Sequence, residues 1–193
     1  MRLIFETHAT SLDNEAGLAS GHFDVDLGPR GEQQAGELGR RYDPPALARV
    51  ACSDLRRSWR TAEVAFGAKA AIHRDARLRE CDHGRLTRAP ALDVEARRLR
   101  HVAVPFPGGE GYQQVVARVA AWLGDLPKTA GDRPVLVIGH RATWYALEHL
   151  LRGRDLAEVV ASPWVWQPGW WFEVTGGTRP GPAGRESDGR ESD

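Results

Sequence analysis

Two histidines carry the first chemical signal in this chain. His8 lies in Glu6-Thr7-His8-Ala9-Thr10, just past the apolar run Leu3-Ile4-Phe5, and His140 follows Val135-Leu136-Val137-Ile138 through Gly139. Short apolar runs bounded by polar or turn residues read as buried strands. Two strands therefore deliver an imidazole to one end of a sheet. In Ser53-Asp54-Leu55-Arg56-Arg57-Ser58-Trp59-Arg60-Thr61-Ala62, arginine opens a helix that follows the run Val50-Ala51-Cys52. The unpaired backbone N–H groups of a helix start already favour anions, so arginine at that place makes a phosphate cradle. Leu78-Arg79-Glu80-Cys81-Asp82-His83-Gly84 then sets a carboxylate on a loop expected at the same sheet end.

The elements that must position these groups alternate. Strands are expected over 3–5, 50–52, 70–73 and 135–138. Helical periodicity covers 31–42, 58–66, 111–126 and 143–151. Val135 to Ile138 is apolar without interruption, as a strand covered on both faces requires. The expected fold class is α/β, a three-layer α/β/α sandwich with a mainly parallel sheet and ligands bound beyond the strand C-termini. Residues 83–109 break the alternation with a polar stretch, an arginine-rich helical segment and Pro105, Pro107, Gly108 and Gly109, and are expected to cover the site. Arg97, Arg98 and Arg100 are expected on a solvent-facing helix, and Trp164, Trp166, Trp170 and Trp171 at the edge of the core. One domain is expected over 1–175. Residues 176–193, rich in Gly, Pro and charge and ending in a tandem Gly-Arg-Glu-Ser-Asp, are expected to form a flexible tail.

Composition narrows the partners. With 193 residues, 41% hydrophobic and 27% charged, the chain is long and apolar enough to bury a core. Lys plus Arg and Asp plus Glu balance at 26 each, so no whole-molecule field draws the protein to nucleic acid or an anionic membrane. Cys52 and Cys81 read as small buried hydrophobes without metal-ligand spacing. Neither metal nor cofactor is expected. No leader pattern or transmembrane run is visible, and a reducing cytoplasm fits the cysteine usage.

In this order the four segments resemble the histidine phosphatase superfamily, also called phosphoglycerate mutase-like, from about residue 2 to residue 151. Thr7-His8-Ala9 with Asn14 stands where the family has Arg-His-Gly followed by asparagine. Ser53 through Ala62 matches Ser-x-Leu-x-Arg-Ala-x-Gln-Thr-Ala, Leu78-Arg79-Glu80 with Gly84 matches Leu-x-Glu with its glycine, and Gly139-His140-Arg141 matches Ser-His-Gly. Gly108-Gly109-Glu110 resembles Gly-Gly-Glu-Ser. The resemblance implies a metal-independent phosphomonoesterase working through phospho-His8, with Arg57 and Asn14 binding phosphate, Glu80 as acid and base, and His140, as a cation, the second pocket histidine. It also implies hydrolysis over mutase transfer, because cofactor-dependent mutases carry a longer excursion between the segments equivalent to Glu80 and Gly108. The expected partner is a small phosphorylated or anionic metabolite, with a homodimer left open.

Three positions depart from the pattern. Thr7 replaces the arginine before the nucleophile, Ala9 the glycine after it, and Arg141 the glycine after the second histidine. Arg141, beside His140, is the candidate to restore the missing charge at the phosphate. Glu6 is the candidate to pair with Arg57 and weaken anion binding. The alternative reading is a diverged member without phosphatase activity, either a binding or regulatory protein or an enzyme using His8, His140 and Glu80 for other acid–base chemistry.

Overall fold

The computed structural model describes residues 1–127 and 133–174. The tail expected over 176–193 lies outside the described residues. Among the described residues five strands form one sheet: β1 (Arg2–Thr7), β2 (Arg49–Cys52), β3 (Ile72–Arg74), β4 (Val135–Gly139) and β5 (Trp170–Glu173). Their spatial order is β3-β2-β4-β1-β5. The first four are parallel; β5 runs antiparallel to β1 at the edge. Seven α-helices among the described residues accompany them: α1 (Leu12–Glu15), α2 (Pro29–Arg41), α3 (Arg56–Phe66), α4 (Ala91–Arg97), α5 (Tyr112–Gly124), α6 (Arg141–Arg152) and α7 (Leu156–Ala161). The fold is the expected α/β/α sandwich with a mainly parallel sheet.

Alternation along the strands sorts the core into two layers. Leu3, Phe5, Val135 and Val137 face Val115, Val119 and Leu123 of α5 and Ala142 and Ala146 of α6. Ile4, Val50, Leu136 and Ile138 face Leu38 of α2 and Ala62, Ala65 and Phe66 of α3. β4 is buried at every position, which is why it reads as one continuous apolar run. Glu6 falls on the α2 side of this alternation, 1% exposed. There its Oε1 accepts from Arg41 Nη2 at 2.9 Å and Tyr42 Oη at 2.6 Å, not from Arg57.

The expected strand at 70–73 begins instead at Ile72, because Gly67–Lys69 closes a 3₁₀ turn after α3. Helices α3 and α6 each begin two residues earlier than periodicity indicates. The two residues added at each start, Arg56-Arg57 and Arg141-Ala142, carry little apolar signal. Both shifts bear on the site, since they bring Arg57 and Arg141 inside a first helical turn.

Residues 83–109 do cover the strand ends. The excursion folds as a 3₁₀ turn (Gly84–Leu86), α4 and a second 3₁₀ turn (Arg98–His101). Its two ends cross closely at Gly84 and Gly109: a Cβ on Gly84 would sit 2.4 Å from Pro107 O, and one on Gly109 would sit 2.2 Å from Asp82 O. Gly84 also has φ +51, a conformation only glycine adopts without strain. Phe106, 1% exposed, anchors the excursion under His101 and His83, with ring centres 3.8 and 5.0 Å away. The arginines there are not alike, because Arg98 is 8% exposed while Arg97 and Arg100 face solvent.

Candidate active site

Register brings the histidines together. Thr7 pairs with Gly139 across the parallel β1–β4 ladder, so the residues that follow emerge side by side. His8 N donates to Gly139 O at 2.9 Å, and the two imidazole rings lie 4.9 Å apart, tilted by 56°. His8, His140, Thr7, Asn14, Arg57, Glu80 and Arg141 all line one cleft of about 310 Å³. The structure thus brings together every site residue expected from sequence.

His8 is held in one tautomer. Its Nδ1 lies 2.7 Å from Ala9 O, and a carbonyl can only accept, so Nδ1 carries the hydrogen and a neutral ring bears its lone pair on Nε2. Burial, then the Arg57 charge, lower the His8 pKa to about 3, with the Ala9 carbonyl opposing. The residue is half-buried and lines the cleft. The loop is braced from α3, where Thr61 Oγ1 accepts from Ala9 N at 3.0 Å and donates to Arg57 O at 2.6 Å.

His140 is fully buried, and neither ring nitrogen finds a partner among the described residues. Burial, then Arg57, then His8 push its pKa well below 6.5. Burial, the largest of these causes, and the Arg57 charge therefore favour the neutral imidazole over the cation expected from sequence. A bound dianion would oppose this shift.

Arg57, 2% exposed, donates through Nη2 to Gly21 O at 2.8 Å and through Nη1 to Phe23 O at 3.0 Å. The two carbonyls fix the plane of the guanidinium, leaving its other N–H groups for a ligand. Glu80 Oε1 accepts from Cys81 N at 2.8 Å and from Ala142 N, in the first turn of α6, at 3.2 Å. His22 Nε2 at 2.8 Å and Arg118 Nη2 at 2.9 Å hold the Glu80 carbonyl from behind. Arg118 also grips Glu110 at 3.1 Å, so the Gly-Gly-Glu segment braces the loop that carries Glu80. Asn14 serves the loop as well: its Oδ1 accepts from Ser11 N at 3.1 Å and Ser11 Oγ at 3.0 Å.

Arg141 does not reach toward Arg57. Its fork closes on Glu95 of α4, Nη1 to Oε2 at 2.7 Å and Nη2 to Oε1 at 3.1 Å. Sequence reasoning missed Glu95, His83 and Tyr145 and put Trp164 at the core edge; all four also line the cleft. Tyr145 was accessible in principle, since it stands four residues after Arg141 on the same helix face. The others arrive through the path of the excursion and of the segment after α7. Of the tryptophans, Trp170 packs on Phe5 at 5.7 Å between ring centres, whereas Trp166 and Trp171 are exposed. Cys52 and Cys81 are free and buried, as expected.

The histidines make stability depend on pH. Both imidazoles have folded-state pKa values below the unfolded value near 6.5, so below pH 6.5, and for His8 down to about pH 3, the unfolded chain binds more protons. Stability is complete above pH 6.5 and falls as acid is added, on the order of 1.4 kcal/mol per pH unit per histidine. Urea melts at pH 7 and pH 5 should show this loss, and 10 mM vanadate should reduce it; equal midpoints without ligand would contradict the buried neutral pair.

The histidine phosphatase superfamily (branch 1) model matches residues 3–164. The chain is 30% identical over 167 residues to phosphoserine phosphatase 1 of Hydrogenobacter thermophilus, covering 82% of this chain and 79% of that protein. It is 33% identical over 181 residues to a probable phosphoglycerate mutase of Citrobacter koseri, covering 81% and 83%. A mycobacterial glucosyl-3-phosphoglycerate phosphatase, solved with VO3, superposes with a TM-score of 0.70 at 27% identity over 83% of this chain and 86% of that one. A Bacillus stearothermophilus protein, at 24% identity, shares the fold with a TM-score of 0.78 over 92% and 93%. By the family match across most of its length and by these relatives, the chain belongs to the histidine phosphatase superfamily.

Proposed function

We propose that the protein is a metal-independent phosphatase of small phosphorylated metabolites that works through a phosphohistidine on His8. The observation that carries the reading is the Nδ1–Ala9 O hydrogen bond on a ring whose pKa is lowered to about 3. It makes Nε2 an unprotonated nucleophile across the neutral range. That lone pair attacks phosphorus, an N–P bond forms, and the ester P–O bond breaks with its electron pair leaving on the alcohol oxygen. Arg57 and the neutral His140 neighbour the three equatorial oxygens on which charge is shared. Glu80 gives the leaving oxygen its proton. Because Oε1 already accepts two backbone N–H bonds, the proton is carried on Oε2. Water then attacks the phosphohistidine, Glu80 takes its proton, and inorganic phosphate and neutral His8 are released.

The relatives support phosphoryl chemistry in this pocket, and two of the three reported with 25% identity or more are named phosphatases. No helix among the described residues is long and apolar enough to cross a membrane.

The test is single-turnover reaction with ³²P-labelled glycerol phosphate in EDTA, quenched in alkali because an N–P bond is acid-labile. Label that is stable in base, lost in acid and mapped to the His8 peptide is the expected result. Turnover that requires added metal, or label on another residue, would sink the proposal.

A further inference from the structure

The loop that holds Arg57 has a fastening of its own. No helix or strand covers residues 19–26, yet two carbonyls of this stretch, Gly21 O and Phe23 O, set the plane of the buried guanidinium. His22 ties the stretch to the Glu80 carbonyl on one side. On another side stands Arg88, from the first part of the excursion. Its guanidinium carbon lies 4.4 Å from the centre of the Phe23 ring, and its Nη2 donates to Asp13 Oδ1 at 3.1 Å. One side chain therefore grips both the residue whose carbonyl meets Arg57 and the α1 residue beside Asn14.

Both contacts are made against a local preference. Arg88 has φ +63, the one positive value outside glycine among the described residues, and an L side chain disfavours that region. With this backbone, Arg88 N donates to Ala19 O at 2.7 Å, beside the bonds from Ala19 N to Ala89 O at 2.9 Å and from Ala91 N to Gly17 O at 2.8 Å. The excursion is thus laced to the loop after α1, and the Arg88 side chain carries the lacing on to Phe23. Phe23 lies outside the core, 43% exposed, so the cation–π stack restrains it where packing does not. Asp13, by contrast, is 2% exposed, and its Oδ2 is buried without a partner among the described residues. A buried carboxylate needs its counter-charge, and Arg88 supplies it. A planar guanidinium serves both partners at once, its face to the ring and its edge to the carboxylate.

We propose that Arg88 is a positioning residue for phosphate binding: by closing on Phe23 and Asp13 it fixes the carbonyls that orient Arg57 in the cleft. Arg88 does not itself line the cleft. It acts through Arg57, and the inference rests on the phosphatase reading in which Arg57 binds phosphate. Without the Arg88 side chain the backbone lacing remains, but Phe23 is released, and Arg57 then donates to a carbonyl that moves with it.

Arg88→Gly tests the idea, since glycine takes φ +63 without strain and only the side chain is lost. Vanadate titration should show affinity lowered by about tenfold, the scale of one impaired bond to a charged group. In an Arg57→Lys background the same change should cost less than about twofold, because the fork that Arg88 positions is already gone. Adding Asp13→Asn to Arg88→Gly removes the unpaired buried charge and should leave vanadate affinity low. Equal losses in the two Arg57 backgrounds, or recovery of affinity with Asp13→Asn, would make Arg88 a counter-ion of Asp13 alone and overturn the proposal. Where Arg88→Gly does not fold, Phe23→Leu removes the stacked ring and keeps the carbonyl; it should weaken vanadate severalfold with the same dependence on Arg57, and unchanged affinity there counts against the proposal equally. Wild type that binds vanadate no better than Arg88→Gly overturns the positioning role and leaves the phosphatase reading standing. Failure of wild type to bind vanadate at all removes the phosphate site, and the role of Arg88 with it.

Discussion

Replacement of His8 by asparagine is expected to lower kcat for phosphomonoester hydrolysis on the order of 10⁴-fold or more, with no phosphoprotein formed. Asparagine keeps an N–H that can still reach the Ala9 carbonyl, so the loop between β1 and α1 should hold its shape. On the proposed mechanism, what disappears is the lone pair that splits the reaction into two steps, leaving only direct attack by water, assisted by Arg57. Wild-type kcat/KM with p-nitrophenyl phosphate should show no acid limb from His8 above about pH 4, because burial and Arg57 keep the free imidazole deprotonated down to about pH 3. An unperturbed histidine would instead lose its nucleophile progressively below pH 6.5. Residual activity above a tenth of wild type in His8→Asn would assign the nucleophile elsewhere.

The parts of the fold that could be read in advance are those where one physical demand dominates. β4 is buried at all five positions, so its sequence has no room for polar residues and stands out. β5 has no legible bounds in the sequence: Trp170 and Phe172 face in while Trp171 and Glu173 face out, over only four residues. Such a short alternation beside Pro168 and Gly169 carries little periodic signal, and its antiparallel pairing with β1 depends on where α7 turns the chain. The starts of α3 and α6 were placed late for a related reason. Periodicity marks apolar faces, and the arginines that open these two helices add nothing to it.

The site divides along similar lines. His8, Asn14, Arg57, Glu80 and His140 stand in local segments whose spacing is fixed by strand ends and helix starts, so they could be placed in one cleft without coordinates. Charge state could not. The family resemblance implies a cationic His140, but burial and Arg57, a residue 83 positions away in the chain, both favour the neutral ring. Partnerships across the excursion were equally hidden: Arg141 meets Glu95, and Glu6 meets Arg41 and Tyr42, through packing that no local pattern encodes.

Arg57 is where position, charge and protonation converge, and substitutions there should separate the three. Arg57→Leu is expected to lower kcat/KM by about 10² to 10³, the range seen when one fixed donor to a developing charge is removed. It should also raise the pKa of both histidines, since the Arg57 charge is the second cause, after burial, of each depression. Because burial is the larger cause and stays, the rise is partial: the imidazoles remain below 6.5, while the acid-induced loss of stability between pH 7 and 5 becomes shallower. Arg57→Lys keeps the charge but cannot span Gly21 O and Phe23 O with a planar fork. It should therefore bind vanadate weakly, as the leucine variant does, yet hold the histidine pKa values near those of wild type. Proton NMR titration of the imidazoles beside vanadate titration reads both effects. If Arg57→Leu leaves the two titrations unmoved while losing activity, the guanidinium acts on phosphate alone and the neutral state of the histidines is the work of burial; if Arg57→Lys restores catalysis, charge matters more than the fork the two carbonyls hold in place.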